Sequence, residues 1–249
     1  LSVICVGFVL CGTTSLTAQV NIEAYQYGDA KEMGLKNTVS LRGQLTGGNT
    51  DLESGTLSWR TDYHTDTDRA FLLFDYDFGK RDGVQYKDDS FVHFRWMHNI
   101  RDMIEIEFFV QNEVNPFISL VNRRVYGAGY RFSLWTIGAQ RLVFGTGVMH
   151  EEELTNKVSS ITQRFLRSTN YLSYFWELSS TVSWSGTGYY QFALSDLLNY
   201  RVLLDTELAV KLTDNLSLLL NGNYRFASKP VANIEPTDYS VSNGLRWTF

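Results

Sequence analysis

The sequence has little cysteine, the residue that forms the disulfides of small exported domains and binds metals through sulfur. Cysteine occurs twice in 249 residues, as Cys5 and Cys11. Both lie in a segment that we expect to be removed, and the remaining chain would have neither a disulfide nor a thiolate metal site. Proline is also scarce, with three residues, whereas tyrosine and phenylalanine are abundant, with 14 and 16.

Long apolar runs and a basic excess are missing as well. After residue 20, no run approaches the roughly 18 apolar residues that a membrane-spanning helix needs. The formal net charge is -5 at pH 7, and a nucleic-acid partner would require a clustered basic surface instead. A bundle of membrane helices and a nucleic-acid-binding protein are therefore disfavoured.

The first residues have the pattern of an export signal. Residues 1–18 are uncharged, apolar in the centre and followed by small residues. They predict a secretory signal peptide without its Met and basic start, cleaved after Ala18. A lipoprotein site at Cys11 is disfavoured because Leu10 precedes it, and an N-terminal core strand is the alternative. Residues 19–34 are then a periplasmic lead.

From residue 35 onward, apolar and polar residues alternate with period two. In the first strand Leu35, Val39 and Leu41 share one face, while Lys36 and Arg42 share the other. Similar stretches predict about twelve strands of near ten residues, the least regular at 162–176. This is the pattern of tilted membrane strands. The sequence predicts an all-β fold, an antiparallel up-and-down transmembrane barrel over residues 35–249. A soluble β-sandwich is a distant alternative.

The predicted connections alternate in length along the chain. One set is tight, at 65–68, 99–102, 133–136, 177–180 and 213–215. The other is mostly longer, at 80–89, 112–122, 150–160 and 227–236, with short exceptions at 47–51 and 195–199. Outer-membrane barrels have short periplasmic turns and longer outer loops. Both termini are therefore predicted to be periplasmic.

The last strand has an aromatic, apolar face that ends at Phe249. Aromatic residues suit the membrane interface, and the segment resembles the C-terminal signal read by the outer-membrane barrel-assembly machinery. We predict that this signal consists of Tyr239, Leu245, Trp247 and Phe249. The expected location is the bacterial outer membrane, in contact with its lipids and lipopolysaccharide. The sequence leaves the oligomeric state open.

The polar face carries charges of both signs, which are expected to point into the lumen. The candidate residues are Arg42, Arg60, Asp75, Arg95, Glu105, Glu107, Arg131, Asp205, Glu207 and Arg225. Arg95 is expected opposite Glu105 or Glu107, and Lys36 near Asp62, since opposite charges favour strand register. The charges either fill the barrel as ion pairs or line a selective pore. Twelve strands lie between the filled barrels of about eight and the open ones of 16–18.

No catalytic or metal-binding pattern is found, and no cofactor is expected. His64, His93, His98 and His150 lack metal-ligand spacing, and a lipid-acting enzyme would need a His–Ser pair on the outer wall. The run from Glu151 to Glu153 is predicted to lie in an outer loop, solvated or holding a divalent cation. The protein is predicted not to be an enzyme.

Two pairs of inward-facing glycines stand out on neighbouring predicted strands. They are Gly127 with Gly129, and Gly145 with Gly147. Without a side chain, they either make room in the lumen or allow sharp strand curvature, and curvature is the favoured interpretation.

Several short motifs, in this order, resemble one known family. They are Gly48-Asn49-Thr50-Asp51, Arg60-Thr61-Asp62-Tyr63, Gly127-Ala128-Gly129-Tyr130-Arg131, Gly145-Thr146-Gly147 and Gly244-Leu245-Arg246-Trp247-Thr248-Phe249. The sequence is similar over residues 35–249 to the salt-induced outer-membrane proteins, a family defined by a domain of unknown function. The resemblance implies an outer-membrane barrel of a Gram-negative bacterium linked to salt or osmotic stress. It implies no catalytic residues.

Overall fold

The computed structural model describes residues 33–46, 51–118, 120–155, 161–230 and 234–249. The predicted signal peptide, most of the lead and most of the 47–51 turn lie outside these ranges. No helix in the described part of the chain is long and apolar enough to cross a membrane.

Twelve antiparallel strands form one closed barrel in which neighbours in sequence are neighbours in space. This confirms the predicted fold class and strand count, and the doubtful stretch at 162–176 is a regular strand. The strands are β1 (Gly34–Thr46), β2 (Leu52–His64), β3 (Asp68–Arg81), β4 (Val84–Arg101), β5 (Ile104–Asn115), β6 (Leu120–Ile137), β7 (Gln140–Thr155), β8 (Ile161–Glu177), β9 (Val182–Ala193), β10 (Asp196–Lys211), β11 (Leu216–Ala227) and β12 (Thr237–Thr248).

The period-two pattern decides which side chains point outward. Leucine, valine and aromatic side chains alternate with polar ones, and the exterior is an almost continuous apolar surface. Aromatic rings concentrate near both ends: Trp96 stacks on Phe108 near one, and Tyr190 contacts Tyr200 near the other. An apolar band between two aromatic girdles is typical of a barrel that faces lipid.

The strands are longer than predicted, with 12 to 18 residues. Here "terminal end" denotes the end of the barrel where β1 begins and β12 ends, and "opposite end" the other. At the opposite end, three predicted long loops, 80–89, 112–122 and 150–160, are wrong, because strands occupy most of them. At the terminal end, the predicted turn at 133–136 is wrong as well, since β6 continues through a bulge to Ile137.

A tight turn replaces the first of these loops. Asp82 and Gly83 both have positive φ angles, 49° and 78°, which is the geometry of a two-residue hairpin turn. The Asp82 side chain also accepts a hydrogen bond from the backbone N–H of Asp51 at 2.9 Å. The Asp82-Gly83 turn therefore lets β3 and β4 stay paired through residues where the alternation of apolar and polar side chains becomes irregular.

The barrel closes along a short seam between β1 and β12. The paired stretch runs from Thr38–Thr248 to Arg42–Gly244, five pairs. It is extended at the terminal end by two backbone hydrogen bonds between Asn37 and Phe249, at 2.8 and 2.9 Å. By contrast, β6 and β7 pair from Leu120–Thr155 to Ile137–Gln140. The seam is therefore the least extensively paired part of the wall.

The four inward glycines have two different uses. A Cβ at Gly127 would overlap the ring of Phe109, and one at Gly145 would overlap the ring of Tyr171. At Gly129 and Gly147, a Cβ would instead overlap the backbone of the facing strand. The favoured interpretation, curvature, was therefore incomplete, because one glycine of each pair makes room for an aromatic ring inside the lumen.

We expect Gly127→Ala to destabilise the barrel by about 1–3 kcal/mol, because the new methyl group overpacks against Phe109. Urea-dependent unfolding in detergent micelles would measure the loss. Gly188→Ala is the matched control, since its nearest contact would be 3.9 Å away, at Leu204, and a change within about 0.5 kcal/mol is expected. The double variant Gly127→Ala/Phe109→Leu should recover part of the loss. Additive losses would contradict this steric explanation.

Candidate functional site: the barrel lumen

The candidate site is the lumen, where the inward side chains of all strands meet. Many of the charged residues there are fully buried, with exposed fractions of 0% for both Arg131 and Glu151. Side chains that line an open aqueous pore keep water contact and therefore keep exposed area. Along β4 to β9, the described inward side chains are instead packed against one another.

The largest group of paired charges in the lumen lies toward the opposite end and is centred on Glu151. We name it the Glu151 network; its members are Glu113, Arg123, Glu151, Glu153, Arg167, Arg201 and Arg225. One Glu151 carboxylate accepts hydrogen bonds from three arginines, at 2.5 Å from Arg123 and 2.8 Å from both Arg167 and Arg201. Charge-assisted bonds of this kind are the strongest hydrogen bonds in proteins.

The remaining members extend this network across the lumen. Arg123 also reaches Glu113 at 3.1 Å, and Arg201 reaches Glu153 at 2.6 Å. Arg225 on β11 lies 3.8 Å from Glu113 on β5. In the closed strand order β5 and β11 are six positions apart in both directions. Side chains from diametrically opposite walls therefore meet at this level.

A second buried layer lies closer to the middle of the barrel. Arg95 forms an ion pair with Glu107 at 2.9 Å, and the Tyr171 hydroxyl donates to the same carboxylate at 2.7 Å. Tyr171 contacts Tyr189, with ring centroids 5.2 Å apart. The residue directly opposite Arg95 in register is Phe109. The predicted pairing with Glu107 is thus diagonal.

Aromatic rings fill the space beside this layer. The His93 imidazole is sandwiched between Phe71 and Phe109, with centroids at 5.5 and 6.1 Å. The Arg95 guanidinium lies 4.8 Å from the centre of the Phe109 ring. Apolar side chains from β3, β4, β8, β9 and β10 form one buried cluster here. Charges and rings together occupy the centre of the lumen.

Ion pairs between inward side chains are also found toward the terminal end. Glu105 binds both Arg69, at 2.5 Å, and Arg131, at 3.0 Å. Arg60 and Asp62, two residues apart on one strand, form a buried pair at 2.7 Å. Arg246 of β12 binds Glu207 of β10, and Lys36 stands opposite Asp62 in register, as predicted.

One wall of the lumen is packed less tightly. Inward side chains of β1, β2, β3, β10, β11 and β12 keep partial exposure, namely Arg42, Thr56, Asp75, Asp205, Asn223, Arg225, Ser240 and Ser242. Asn223 donates to Asp205 at 2.5 Å, and Arg42 is within electrostatic range of both Asp75 and Asp205. We name this partly exposed, polar side of the lumen the polar crevice.

The candidate residues from the sequence are thus divided between two environments. The buried ion-pair layers hold Arg60, Arg95, Glu105, Glu107, Arg131 and Glu207, whereas the crevice wall holds Arg42, Asp75, Asp205 and Arg225. The residues proposed for the assembly signal all lie on the exterior and are exposed: Tyr239, Leu245, Trp247 and Phe249. Their role in assembly remains a prediction.

Sequence reasoning missed most of the Glu151 network. The run from Glu151 to Glu153 does not lie in a loop, because β7 extends to Thr155. Glu151 and Glu153 point inward, while Glu152 points outward and binds Arg164 at 2.8 Å. The signal was the period-two pattern itself, which continues through Met149, Glu151 and Glu153.

The outward-facing histidines, His98 and His150, have acidic, aromatic and apolar neighbours. His98 lies on the outer wall, bonded to Asp68 at 2.9 Å and stacked on Trp96. The cross-strand neighbours of His150 are Tyr126 and Leu166. Within the described ranges, no group of three or more His, Cys, Asp or Glu side chains is arranged to hold a metal ion.

Glu151→Gln is expected to destabilise the barrel by about 3–5 kcal/mol, because removing one partner of a buried ion-pair group leaves uncompensated charge. Glu152→Gln is the matched control from the same strand, and its exposed pair is worth about 1 kcal/mol or less. Urea-dependent unfolding in detergent micelles would compare them. Equal losses would show that Glu151 is not the centre of the network.

Several solved barrels resemble this fold. The translocator domain of the autotransporter NalP from Neisseria meningitidis is 12% identical, with 89% of this chain and 90% of that chain covered and a TM-score of 0.49. The NanC porin is 8% identical, with 86% and 97% covered and a TM-score of 0.48. The KdgM porin is 9% identical, with 86% and 99% covered and a TM-score of 0.44.

No curated protein matches the chain. The family model described as "Protein of unknown function, DUF481" matches residues 39–249, and the chain therefore belongs to this family.

Proposed function

We propose that the protein is an outer-membrane β-barrel whose lumen is filled by its own side chains, so that it is structural or weakly conducting. The observation that carries the proposal is the Glu151 network. Its contacts join β5, β6, β7, β8, β10 and β11 across the lumen. On the β4 to β9 side of this level, an ion would have to displace buried, paired charges.

The exterior supports the membrane placement. Large apolar side chains are exposed on every wall of the barrel, among them Leu220 of β11 with an exposed fraction of 49%. In water, so much contiguous apolar surface would promote aggregation. In a bilayer the same surface faces hydrocarbon, with aromatic girdles at the headgroups.

Leu220→Arg is expected to destabilise the folded barrel in lipid by about 2–4 kcal/mol, the cost of an arginine near the bilayer midplane. Leu220 is suitable because it lies about midway along an outward-facing row of β11. Thr237→Arg, at the start of β12, is the control near the interface, where about 0–1 kcal/mol is expected. Unfolding from liposomes measures both, and equal costs would argue against membrane burial.

Single-channel recording of the refolded barrel in a planar bilayer tests the filled lumen. The wild type is expected to insert and show no steps, or very small ones. Arg201→Ala/Arg225→Ala should produce larger discrete steps, because both side chains extend into the lumen from β10 and β11 as part of the Glu151 network. Arg164→Ala, on the exterior, is the control and should match the wild type. Large steps from the wild type would refute the filled lumen.

The polar crevice favours a second candidate function, a narrow channel for ions or small solutes. Its wall carries Arg42 within electrostatic range of the carboxylates of Asp75 and Asp205. In the bilayer experiment, this channel would give a conducting wild type. Its selectivity would shift toward anions in Asp75→Asn/Asp205→Asn, since two negative charges leave the wall. Conductance without that shift would exclude these residues as a filter.

The family resemblance adds a role in salt or osmotic stress to the proposal, and the contacts of the lumen support no enzymatic reaction. A barrel whose walls are joined by ion pairs across the lumen is suited to an envelope under osmotic stress. The role is tested by the growth of a strain without the protein at high salt. Normal growth there would refute it.

A further inference from the structure

The exterior of β6, β7 and β8 carries a row of charges near the opposite end. Arg124, Glu152 and Arg164 face outward in register, Arg124 opposite Glu152 and Glu152 opposite Arg164. His150 lies two residues from Glu152 on the same outward face and is exposed. We name Arg124, His150, Glu152 and Arg164 the exterior basic row.

The row has more cationic than anionic groups. Arg164 donates from Nε to Glu152 at 2.8 Å, and their side chains are 67% and 33% exposed. Glu152 is also within electrostatic range of Arg124 and His150. A single carboxylate thus faces two guanidinium groups, which together have ten N–H donors. Among the described residues, the bond from Arg164 to Glu152 uses one of those donors, which leaves the others to a ligand from outside the barrel.

The height of the row places it at a membrane interface. On β7, ten residues separate outward Leu142, beside Trp135 and Tyr174, from outward Glu152. At about 3.3 Å per residue and a tilt of about 45°, this spans roughly 23 Å, close to the apolar band of about 25 Å in such barrels. Leu166 and Tyr126 lie one outward position closer to the band.

Other parts of the exterior are different. In the described chain, the outward positions of β5, β9, β11 and β12 have no charged residue. On β2 to β4, outward Lys80 stands opposite Glu53, and Asp88 faces outward nearby. The charge there is net negative. Near the opposite end of these strands, net positive charge on the outer wall is therefore concentrated in the exterior basic row.

We propose that the exterior basic row binds the phosphate groups of lipopolysaccharide in the outer leaflet. The proposal rests on the proposed function and on the orientation predicted from the sequence, with the terminal end periplasmic and the opposite end in the outer leaflet. Guanidinium groups match phosphate oxygens in charge and in bidentate geometry. Cationic side chains at this height attract anionic headgroups, while the acyl chains would lie on the apolar surface of Tyr126 and Leu166.

Native mass spectrometry of the full barrel tests the proposal, with titrations of diphosphorylated lipid A and fully dephosphorylated lipid A. The wild type is expected to bind the phosphorylated form about thirtyfold more tightly, the effect of two cations near the membrane surface at about 1 kcal/mol each. Arg124→Gln/Arg164→Gln should abolish this preference. Lys80→Gln is the matched control, because it removes an outward cation from a different wall, and it should keep the preference.

A variant with the opposite sign guards against a loss caused by misfolding. Glu152→Gln removes the competing carboxylate and should tighten binding of the phosphorylated lipid severalfold. A wild type without preference, or a double variant that keeps it, would overturn the site while leaving the proposed function intact. A barrel that does not insert into bilayers would overturn the proposed function and the site together.

Discussion

The interior of this barrel depends on one constraint: charged side chains that point into a closed wall must find partners across the lumen. An isolated charge without water costs several kcal/mol, and pairing offsets the cost only when geometry and hydrogen bonds are good. Glu151 meets the requirement with three arginines, which come from three other strands, β6, β8 and β10. The same contacts that satisfy the charges therefore fix the distance between walls and fill the space in which a pore would lie.

Much of the fold could be predicted because a single physical rule, alternation, governs every strand. Lys36 opposite Asp62 and the ion pair of Arg95 with Glu107 follow from counting residues along hairpins. The ends of strands could not be predicted in this way. Near the ends of the strands the outward residues are polar as well, so the apolar–polar alternation disappears. The run from Glu151 to Glu153 therefore resembles a loop in sequence. Contacts between distant strands, such as that of Arg225 with Glu113, depend on closure and leave no local pattern.

The lumen has two unlike halves, and glycine placement contributes to the difference. On β6 and β7, Gly127 and Gly145 admit the rings of Phe109 and Tyr171, so that the β4 to β9 side is packed with large side chains. On the other side, small polar residues such as Ser240 and Ser242 of β12 leave a crevice. The short seam between β1 and β12 lies in this second half. Packing and closure are thus both weakest on the same wall.

Alternation also explains how neighbouring charges in the sequence take on different tasks. Arg123 points inward and binds Glu151, whereas Arg124, the next residue, points outward toward Glu152. Two adjacent arginines and three consecutive glutamates are in this way divided between the two surfaces of one wall. The inward charges of these two runs, Arg123, Glu151 and Glu153, are buried and paired, so they contribute rigidity. The outer charges are exposed and unequal in number, so they retain capacity for an anionic ligand. In a loop, all charges of such a run would be solvated. In a strand, alternate charges point inward and outward, so they form buried ion pairs on one face and an exposed charged surface on the other.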